Sequence, residues 1–306
     1  MVVTVTLNPC IDRTIKIKSF LYGSMNRMTD SKRDVSGKGI NVSLALNNLG
    51  VENKALGFIF KDNKDFFLSE LKKLGLDFIG VEVPGELREN IKIWNEEDSS
   101  TTEINQKGAK VDECAWLEFK ELYSREIASA SVVVLSGSIP QGLLADSYRE
   151  LVEIANKMSI KVILDAEGEL LRNGIEACPF LIKPNQYEFE KTFGSIESIA
   201  DIVSDLIERG CVEDVVVSQG KDGASIYSKE GAYYAPPVDV TAKSAQGAGD
   251  NMVAGIIKAY LEGKGPSEML KYGTAAATGS LEVEGTGATT YALFSSYLDK
   301  TKVLEI

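Results

Sequence analysis

Two hydrophobic patterns alternate along most of the chain. Short, continuous apolar runs rich in Val and Ile are followed by segments whose apolar residues recur at every third or fourth position. The runs are typical of buried β-strands, and the recurrent spacing is typical of amphipathic α-helices. Strands that alternate with helices in this way predict a mainly parallel sheet covered on both faces. We therefore expect an α/β fold, with a central sheet between two helical layers.

The alternation is regular enough to assign elements by residue. The strands predicted for the main sheet are residues 2–7, 55–60, 78–83, 132–135, 162–164, 181–182, 215–217, 224–227 and 232–234. The predicted helices are residues 40–49, 64–74, 116–128, 144–157, 188–193, 199–208, 251–261, 267–282 and 292–300. No internal repeat or linker interrupts the series, so we expect residues 1–306 to form a single domain.

A different pattern, in which apolar and polar residues alternate strictly, predicts a second sheet. It occurs in residues 14–18, 27–35, 90–94 and 101–105. Alternation gives each strand one apolar and one wet face. We interpret these segments as one antiparallel sheet outside the main core, a lid formed by about residues 12–35 and 88–106.

The predicted lid has an apolar face that needs a cover. Ile15 and Ile17 share one face, as Ile91 and Ile93 do on their strand, whereas the neighbouring lysines, including Lys92, point the other way. An exposed apolar face usually marks an interface. An isologous pairing would cover the same face in both subunits. We therefore expect a homodimer joined through the lid.

Composition excludes several classes of function. The chain has 33 Lys and Arg residues against 45 Asp and Glu residues, so its net charge is −12, which argues against nucleic acid or an anionic membrane as partner. Histidine is absent, which excludes His-based zinc sites and Ser-His-Asp triads. Any general base is therefore Asp, Glu, Lys, Tyr or Cys.

The four cysteines are widely spaced, as expected for reduced, half-buried thiols. Residues 1–7 resemble a strand more than a signal peptide, and no apolar run reaches membrane-spanning length, so we expect a cytoplasmic protein.

The stretch 243–255 (KSAQGAGDNMVAG) is the strongest candidate for chemistry. Gly247 and Gly249 would lie in the turn that begins the helix 251–261, where free backbone amides and the helix dipole favour an anion. Asp250 places a carboxylate beside that anion site, where it would take a proton from a hydroxyl that attacks a phosphate. Alternatively, Asp250 is an N-terminal cap and the glycines only turn the chain.

Cations and polar residues elsewhere are suited to an anion and to the hydroxyl groups of a ligand. Lys38 lies between Gly37 and Gly39 at a predicted helix start, and Asn41 lies one turn further on, where it would bind a sugar hydroxyl. Further candidates are Asp12, a second hydroxyl anchor, and Arg27 and Arg88, which with Lys38 would clamp a phosphate. Each also has an ordinary interpretation, as a turn aspartate or as solvated surface cations.

Polar residues also cluster where predicted strands end, at residues 8–12, 136–138, 165–167, 183–185 and 218–220. Because ligands of such folds bind at the carboxyl ends of the strands, these clusters predict one site that includes Ser136 and Ser138. Asn185 and Glu188 would share a helix face and hold Mg²⁺ through its waters. Alternatively, Asn185 caps the helix that follows. The turn 218–223 (SQGKDG) would accommodate a nucleotide against its backbone, although an ordinary loop would have the same composition.

Taken together, these motifs resemble the ribokinase-like (PfkB) carbohydrate kinases. Residues 36–42 (SGKGINV) and 244–250 (SAQGAGD) are similar to the two family signatures, and residues 183–188 (KPNQYE) to the metal-associated N-x-x-E motif. The similarity runs through nearly the whole chain. Residues 6–12 (TLNPCID) and 136–140 (SGSIP) further resemble the phosphosugar branch, above all the 1-phosphofructokinases, whereas tagatose-6-phosphate kinases share most of the same residues.

The resemblance implies a ribokinase-like three-layer α/β/α fold with a small β-sheet lid that pairs with a second subunit's. It implies a kinase that uses ATP and Mg²⁺, with Asp250 as base and an anion hole formed by the amides of Gly247, Ala248 and Gly249. The phosphosugar ligands would be Asp12, Arg27, Gly37, Lys38, Gly39, Asn41, Arg88, Ser136, Ser138 and Asp250. The nucleotide ligands would be Lys183, Asn185, Ser218, Gly220, Gly223, Gly247 and Gly249.

The acceptor that the resemblance favours is the C6 hydroxyl of fructose 1-phosphate. Tagatose 6-phosphate and fructose 6-phosphate are the alternatives, and a non-catalytic sugar-phosphate sensor is the alternative outside enzymes. The chain departs from the family pattern at a few positions that carry no charge needed for the reaction: Ser36, Gln219, Gln246 and Asn251.

Overall fold

A computed structural model describes residues 1–194, 199–285 and 287–306. The strands are β1 (Val2–Thr6), β2 (Cys10–Ile17), β3 (Met28–Ser36), β4 (Asn53–Phe60), β5 (Phe78–Val83), β6 (Arg88–Asn95), β7 (Ser100–Asn105), β8 (Val132–Ser136), β9 (Lys161–Asp165), β10 (Leu181–Ile182), β11 (Asp214–Ser218), β12 (Ala224–Ser228), β13 (Gly231–Ala235) and β14 (Leu304–Glu305). The helices are α1 (Lys38–Asn48), α2 (Lys64–Lys73), α3 (Glu113–Ile127), α4 (Ser147–Lys157), α5 (Gly168–Ile175), α6 (Gln186–Phe193), α7 (Ile199–Glu208), α8 (Ala248–Leu261), α9 (Pro266–Leu281) and α10 (Tyr291–Leu298).

The main sheet has ten strands in the order β14-β13-β12-β11-β10-β9-β8-β1-β4-β5. From β5 to β11 the neighbouring strands are parallel, and β12, β13 and β14 add an antiparallel edge. The chain builds outward from β1 in one direction and then crosses back to build in the other. The two halves therefore meet between β1 and β8, and this change of direction leaves a crevice at the carboxyl ends of the strands.

Both faces of the main sheet are buried, which explains the continuous apolar runs. In β8, Val133 and Leu135 pack on one side with helices α2 to α7, whereas Val132 and Val134 pack on the other with α1, α8, α9 and α10. Successive side chains of a strand point to opposite faces, so a strand buried on both faces has no polar alternation. The expected three-layer arrangement is confirmed.

The lid is a separate four-stranded sheet with the order β3-β2-β6-β7. The outer pairs are antiparallel, as predicted, but β2 and β6 in the centre are parallel, so the expectation of an antiparallel sheet was wrong for this pair. The reason lies in the main sheet. Strands β2 and β6 leave it soon after β1 and β5, which run in the same direction, and they therefore enter the lid side by side.

The other differences from the sequence-based assignment are local. Helix α5 was not predicted because Gly168 and Gly174 interrupt its apolar pattern, and Gly168 has a φ of +59°. Strand β14 was missed because its 2 residues are both exposed and give no apolar run, unlike the equally short but buried β10. The cysteines are free, as expected, but only Cys211 is half-buried: Cys10 is buried, and Cys114 and Cys178 are exposed.

Within the described ranges, every helix is too short or too polar to cross a lipid bilayer.

Candidate active site

A cleft of about 700 Å³ opens at the change of direction in the main sheet. The end of β1 contributes Thr6 and Asn8 to its walls, and the end of β8 contributes Ser136 and Ser138. Lys38 and Arg88, from the start of α1 and the start of β6, lie in the same cleft. Three of the five predicted polar strand ends, those at residues 8–12, 136–138 and 165–167, are therefore brought together with two of the predicted phosphate-binding cations.

The start of α8 places a carboxylate beside free backbone amides. Gly247 precedes the helix in the left-handed conformation, with a φ of 76°, which favours glycine because a Cβ would be strained there. Ala248 and Gly249 then begin the helix, where backbone amides have no partner within it. Asp250 follows in the first turn, whereas the N-cap position itself is occupied by Gly247. The alternative reading of Asp250 as a simple cap is therefore not what the geometry supports.

The Asp250 side chain instead accepts a hydrogen bond from the segment 36–42, which resembles the first family signature. The Asn41 side chain in α1 donates a hydrogen bond to Asp250 Oδ2 at 2.8 Å. Burial raises the pKa of Asp250 to about 6, and the nearby Asp165 carboxylate adds to this, whereas Lys38 and the Asn41 hydrogen bond lower it. A carboxylate with this pKa is ionised at neutral pH yet is a stronger base than an exposed aspartate.

Asp165, at the end of β9, ties together the cations of the cleft. Lys38 Nζ and Lys183 Nζ each lie 3.4 Å from its Oδ1, and the Ser136 hydroxyl donates to its Oδ2 at 3.2 Å. Burial alone would raise the pKa of Asp165, but Lys183 and Lys38 outweigh that effect and lower it. Asp165 was noticed in the sequence only as part of a strand-end cluster, yet the structure places it at the centre of the ion network.

Lys38 has carboxylates on several sides. Its Nζ is also 3.5 Å from Glu188 Oε1, at the start of α6. Partial burial lowers the pKa of Lys38, but Asp165, Glu188 and Asp250 outweigh this and hold it above its ordinary value. Lys38 is therefore a permanent cation whose side chain remains 38% exposed to the cleft and can meet an anion there.

Asn185 and Glu188 form a reciprocal capping box at the start of α6. Asn185 Oδ1 accepts from the Glu188 amide and Glu188 Oε2 accepts from the Asn185 amide, both at 2.8 Å. The capping alternative for Asn185 is therefore observed. Glu188 Oε1 takes no part in the box and faces Lys38, so a carboxylate oxygen remains beside the cleft. This donor set is compatible with a hydrated Mg²⁺, because hard cations prefer oxygen ligands and Mg²⁺ keeps several waters.

The acceptor side of the cleft is held by hydrogen bonds to the β1 end. Arg88 Nε donates to the Asn8 carbonyl at 3.2 Å, and Asn8 Nδ2 donates to Ser138 Oγ at 3.1 Å. Gly37 and Gly39 let α1 approach β1 closely, because a Cβ at Gly39 would lie 2.5 Å from the Val5 carbonyl oxygen. These glycines therefore have a packing role besides the predicted one.

Of the predicted site residues, Lys38, Arg88, Ser136, Ser138 and Glu188 line this cleft. Among the described residues, the walls do not include Asp12, Arg27, Gly37, Gly39, Asn41, Lys183, Asn185, Ser218, Gly220, Gly223, Gly247, Ala248, Gly249 or Asp250. Arg27 is exposed in the segment before β3, and among the described residues its side chain has no hydrogen bond or ion pair. Ser218 ends β11 beside Asn185, to which it forms an isolated bridge, and Gly220 and Gly223 flank the short 3-10 turn that follows. That turn shares the sheet edge with the Lys183 to Glu188 segment.

Sequence reasoning missed the role of one residue on the lid side. Lys92 of β6 was placed on the wet face of the lid, but this face looks onto the site. Lys92 Nζ lies 2.9 Å from Asp12 Oδ2 and 3.0 Å from Gln246 Oε1. Burial raises the pKa of Asp12, but the contact with Lys92 outweighs it and lowers the pKa below its usual range. The signal was present in the sequence, since Arg88, Asn90 and Lys92 follow each other on one strand face.

Comparisons with known proteins agree with this geometry. Residues 5–292 match the pfkB family carbohydrate kinases. The chain is 34% identical over 261 residues to the 1-phosphofructokinase of Bacillus subtilis (strain 168), covering 84% of each. It is 36% identical over 287 residues to that of Borreliella burgdorferi, covering 91% of each.

Solved structures place the fold in the same group. The phosphofructokinase-2 of Escherichia coli in complex with potassium superposes with a TM-score of 0.90, at 26% identity and with 98% of each chain covered. The same Escherichia coli enzyme is known in complex with fructose-6-phosphate and in a tetrameric inhibited form. The likeness confirms the ribokinase-like fold expected from the sequence. With a family match across residues 5–292 and relatives of 34% and 36% identity over most of its length, the chain belongs to the pfkB family of carbohydrate kinases.

Proposed function

We propose that the chain is an ATP-dependent kinase that transfers the γ-phosphate of ATP to the C6 hydroxyl of fructose 1-phosphate, which yields fructose 1,6-bisphosphate and ADP. The observation that carries the proposal is the 2.8 Å hydrogen bond between Asn41 and Asp250. It joins the sugar-binding and anion-binding signatures at one carboxylate. Relatives with more than a third of their residues identical over most of the chain are 1-phosphofructokinases, which supports the choice of acceptor.

In this proposal, positioning and electrostatics do most of the catalysis. Asp250 takes the proton of the attacking hydroxyl. The amides of Gly247, Ala248 and Gly249 hold the transferred phosphoryl group, where the α8 dipole favours negative charge. The raised pKa of Asp250 makes it a suitable base near neutral pH.

The acceptor's own phosphate would meet Lys38 and Arg88, which are cations of an otherwise acidic protein. Ser136 and Ser138 line the wall beside them, and Gly37 and Gly39 flank Lys38 in the chain. Asp12 and Asn41 would hold sugar hydroxyls by hydrogen bonds. Charge-assisted bonds of this kind give both affinity and orientation.

ATP would lie along the sheet edge from Lys183 and Asn185 towards the 218–223 turn, with Ser218, Gly220 and Gly223 against its nucleoside. Asn185 and Glu188 would hold Mg²⁺ through its waters, and the ion, when bound, would neutralise charge on the transferred phosphate. Their capping box fixes both side chains in place before any ion binds.

The acceptor is tested by measuring ADP release with a panel of fructose 1-phosphate, fructose 6-phosphate and tagatose 6-phosphate. We expect the highest kcat/KM for fructose 1-phosphate. A higher value for a hexose 6-phosphate would move the proposal to that acceptor. No turnover with any of them, combined with tight phosphosugar binding in calorimetry, would favour a sensor and contradict the proposed kinase.

We also propose that the chain forms a homodimer through the lid. Strand register places Ile15 beside Ile93 and Ile91 beside Ile104, on the face away from Asp12. Ile104 is 55% exposed in the single chain. A second copy of the same sheet would cover this face, because an isologous contact uses one patch twice.

A further inference from the structure

Gln246 links the lid to the loop that begins α8. Its Oε1 accepts from Lys92 Nζ of β6 at 3.0 Å, and its Nε2 donates to Glu103 Oε1 of β7 at 3.3 Å. One glutamine side chain therefore contacts two lid strands. It also directly precedes Gly247, whose left-handed conformation sets the path of the backbone into the anion-binding amides.

The lysine end of this contact is buried. The side chains of Lys92 and Asp12 are only 9% and 8% exposed, and their ion pair spans 2.9 Å. A buried ammonium is costly unless its hydrogen bonds are satisfied. Asp12 and Gln246 supply two acceptors, one from the lid itself and one from across the cleft. The Lys92 ammonium therefore has both acceptors only when the lid and the loop that begins α8 are in contact.

We propose that Gln246 is a positioning residue that latches the lid to the anion-binding loop through Lys92 and Glu103. The inference rests on the proposed kinase function and adds to it a contact that holds the lid closed. Through Lys92 the latch connects Asp12, which would bind the sugar, with the loop of Gly247, which would bind the phosphoryl group. While these hydrogen bonds are formed, the lid excludes water during phosphoryl transfer.

Removing the latch should uncouple the two halves of the site. With Gln246→Ala the lid closes less often, so the acceptor binds less well and water reaches the phosphoryl group. We expect kcat/KM for the phosphosugar to fall by about tenfold or more, the effect of one charged hydrogen bond. The KM for ATP should change little, and ATP hydrolysis without transfer to the sugar should rise relative to transfer.

A double-mutant cycle with Lys92→Met tests whether the two residues act together. We expect Gln246→Ala to cost less once Lys92→Met is present, because only the contact with Glu103 then remains to be lost. Lys16→Met is the matched control, because Lys16 is an exposed lysine on the same lid face, and it should leave kcat/KM unchanged. Additive losses would overturn the latch, since they would mean that Lys92 acts on the substrate independently of Gln246.

Exchanging the side chains of Gln246 and Glu103 should restore the activity that a single substitution removes. Gln246→Glu alone keeps an acceptor for Lys92 but sets two carboxylates against each other at Glu103, so activity should fall. Adding Glu103→Gln restores a donor and acceptor pair with the roles reversed, and activity should recover. Failure of the double variant to recover above Gln246→Glu would contradict the latch.

Hydrogen exchange separates this inference from the proposed activity, because it needs no turnover. In Gln246→Ala, the amides of the lid strands and of residues 246–249 should both exchange faster. Gln106→Ala is the control: the Gln106 side chain accepts from the Glu89 amide within the lid, so its loss should affect the lid alone. Unchanged exchange in the α8 loop of Gln246→Ala would refute the latch even if the kinase proposal holds. A wild type without kinase turnover that still shows the coupled exchange would refute only the kinase.

Discussion

The hydrogen bond from Asn41 to Asp250 gives the sharpest test of the proposed chemistry. Asn41 is buried, and its side-chain amide donates a hydrogen bond to Asp250 Oδ2 at 2.8 Å. A donor stabilises the ionised carboxylate, so it lowers the pKa of Asp250 against the effect of burial. Replacing Asn41 with leucine removes the donor while it keeps a side chain of similar size. The pKa of Asp250 should then rise.

The size of the effect follows from the strength of the bond. A hydrogen bond to a charged group contributes about 1.5–3 kcal/mol, and one pH unit corresponds to about 1.4 kcal/mol. The pKa should therefore rise from about 6 by roughly one to two pH units. At pH 7 the ionised fraction would fall from about nine-tenths to between about one-half and one-tenth.

The assay is kcat/KM for the phosphosugar between pH 5 and 9, measured by coupled ADP release, because its pH profile reports the free enzyme. In wild type, activity should fall as the pH drops through about 6, since protonated Asp250 is no base. In Asn41→Leu the same fall should occur at higher pH, and activity should rise towards pH 9 to a plateau below wild type, because the sugar contact proposed for Asn41 is also lost. Asn47→Leu, on the exposed side of α1, is the control. A uniform loss at every pH would refute the reasoning and would assign Asn41 to the sugar alone.

Four further expectations follow from the structure. Asp250→Asn should keep nucleotide and sugar binding but lose at least the 10²–10⁴ of a general base in kcat; a variant with a tenth of wild-type turnover would disprove the assignment. Arg88→Met should raise the KM for the phosphosugar by about ten- to a hundredfold, as for a charged bond, and leave that for ATP near wild type; equal effects on both substrates would remove Arg88 from the acceptor site. Ile91→Glu should convert a wild-type dimer to monomers in light scattering, with Ile15→Glu as a second variant; a dimer that survives both has its interface elsewhere. Gly39→Ala should lower the free energy of unfolding by about 1–3 kcal/mol, because its Cβ would lie 2.5 Å from a backbone oxygen, whereas Gly265→Ala, which faces only the flexible Glu230 side chain, should melt near wild type.

Much of the fold could be predicted because the apolar periodicity of a strand or helix depends on its own residues. Residues 78–83, 181–182 and 199–208 were assigned with the same bounds that the structure has. Apolar periodicity reports burial on one or both faces, and this depends on each segment alone. Helix α5 escaped because two glycines dilute its pattern, and the parallel pairing of β2 with β6 escaped because strand direction in the lid is set by the main sheet.

The features of the candidate site also fall into local ones, which the sequence predicts, and contacts between distant residues, which it does not. Glycines at helix starts, the aspartate after them and polar strand ends are local features, so the sequence could single out Asp250, Lys38 and Ser136 as candidates. The bond between Asn41 and Asp250 joins residues 209 positions apart, and that between Lys92 and Gln246 joins residues 154 apart. No local pattern distinguishes such partners from ordinary surface residues.

The sequence by itself therefore determined the layers, the lid and the residue types of the site. Only the tertiary structure decided that Lys92 is buried rather than solvated, that Asp165 joins Lys38 to Lys183, and that Arg27 lies outside the cleft of its own chain. The physical reason is that a charged side chain takes its role from the partners within a few ångströms. Those partners are brought together by packing of distant segments, which periodicity does not encode.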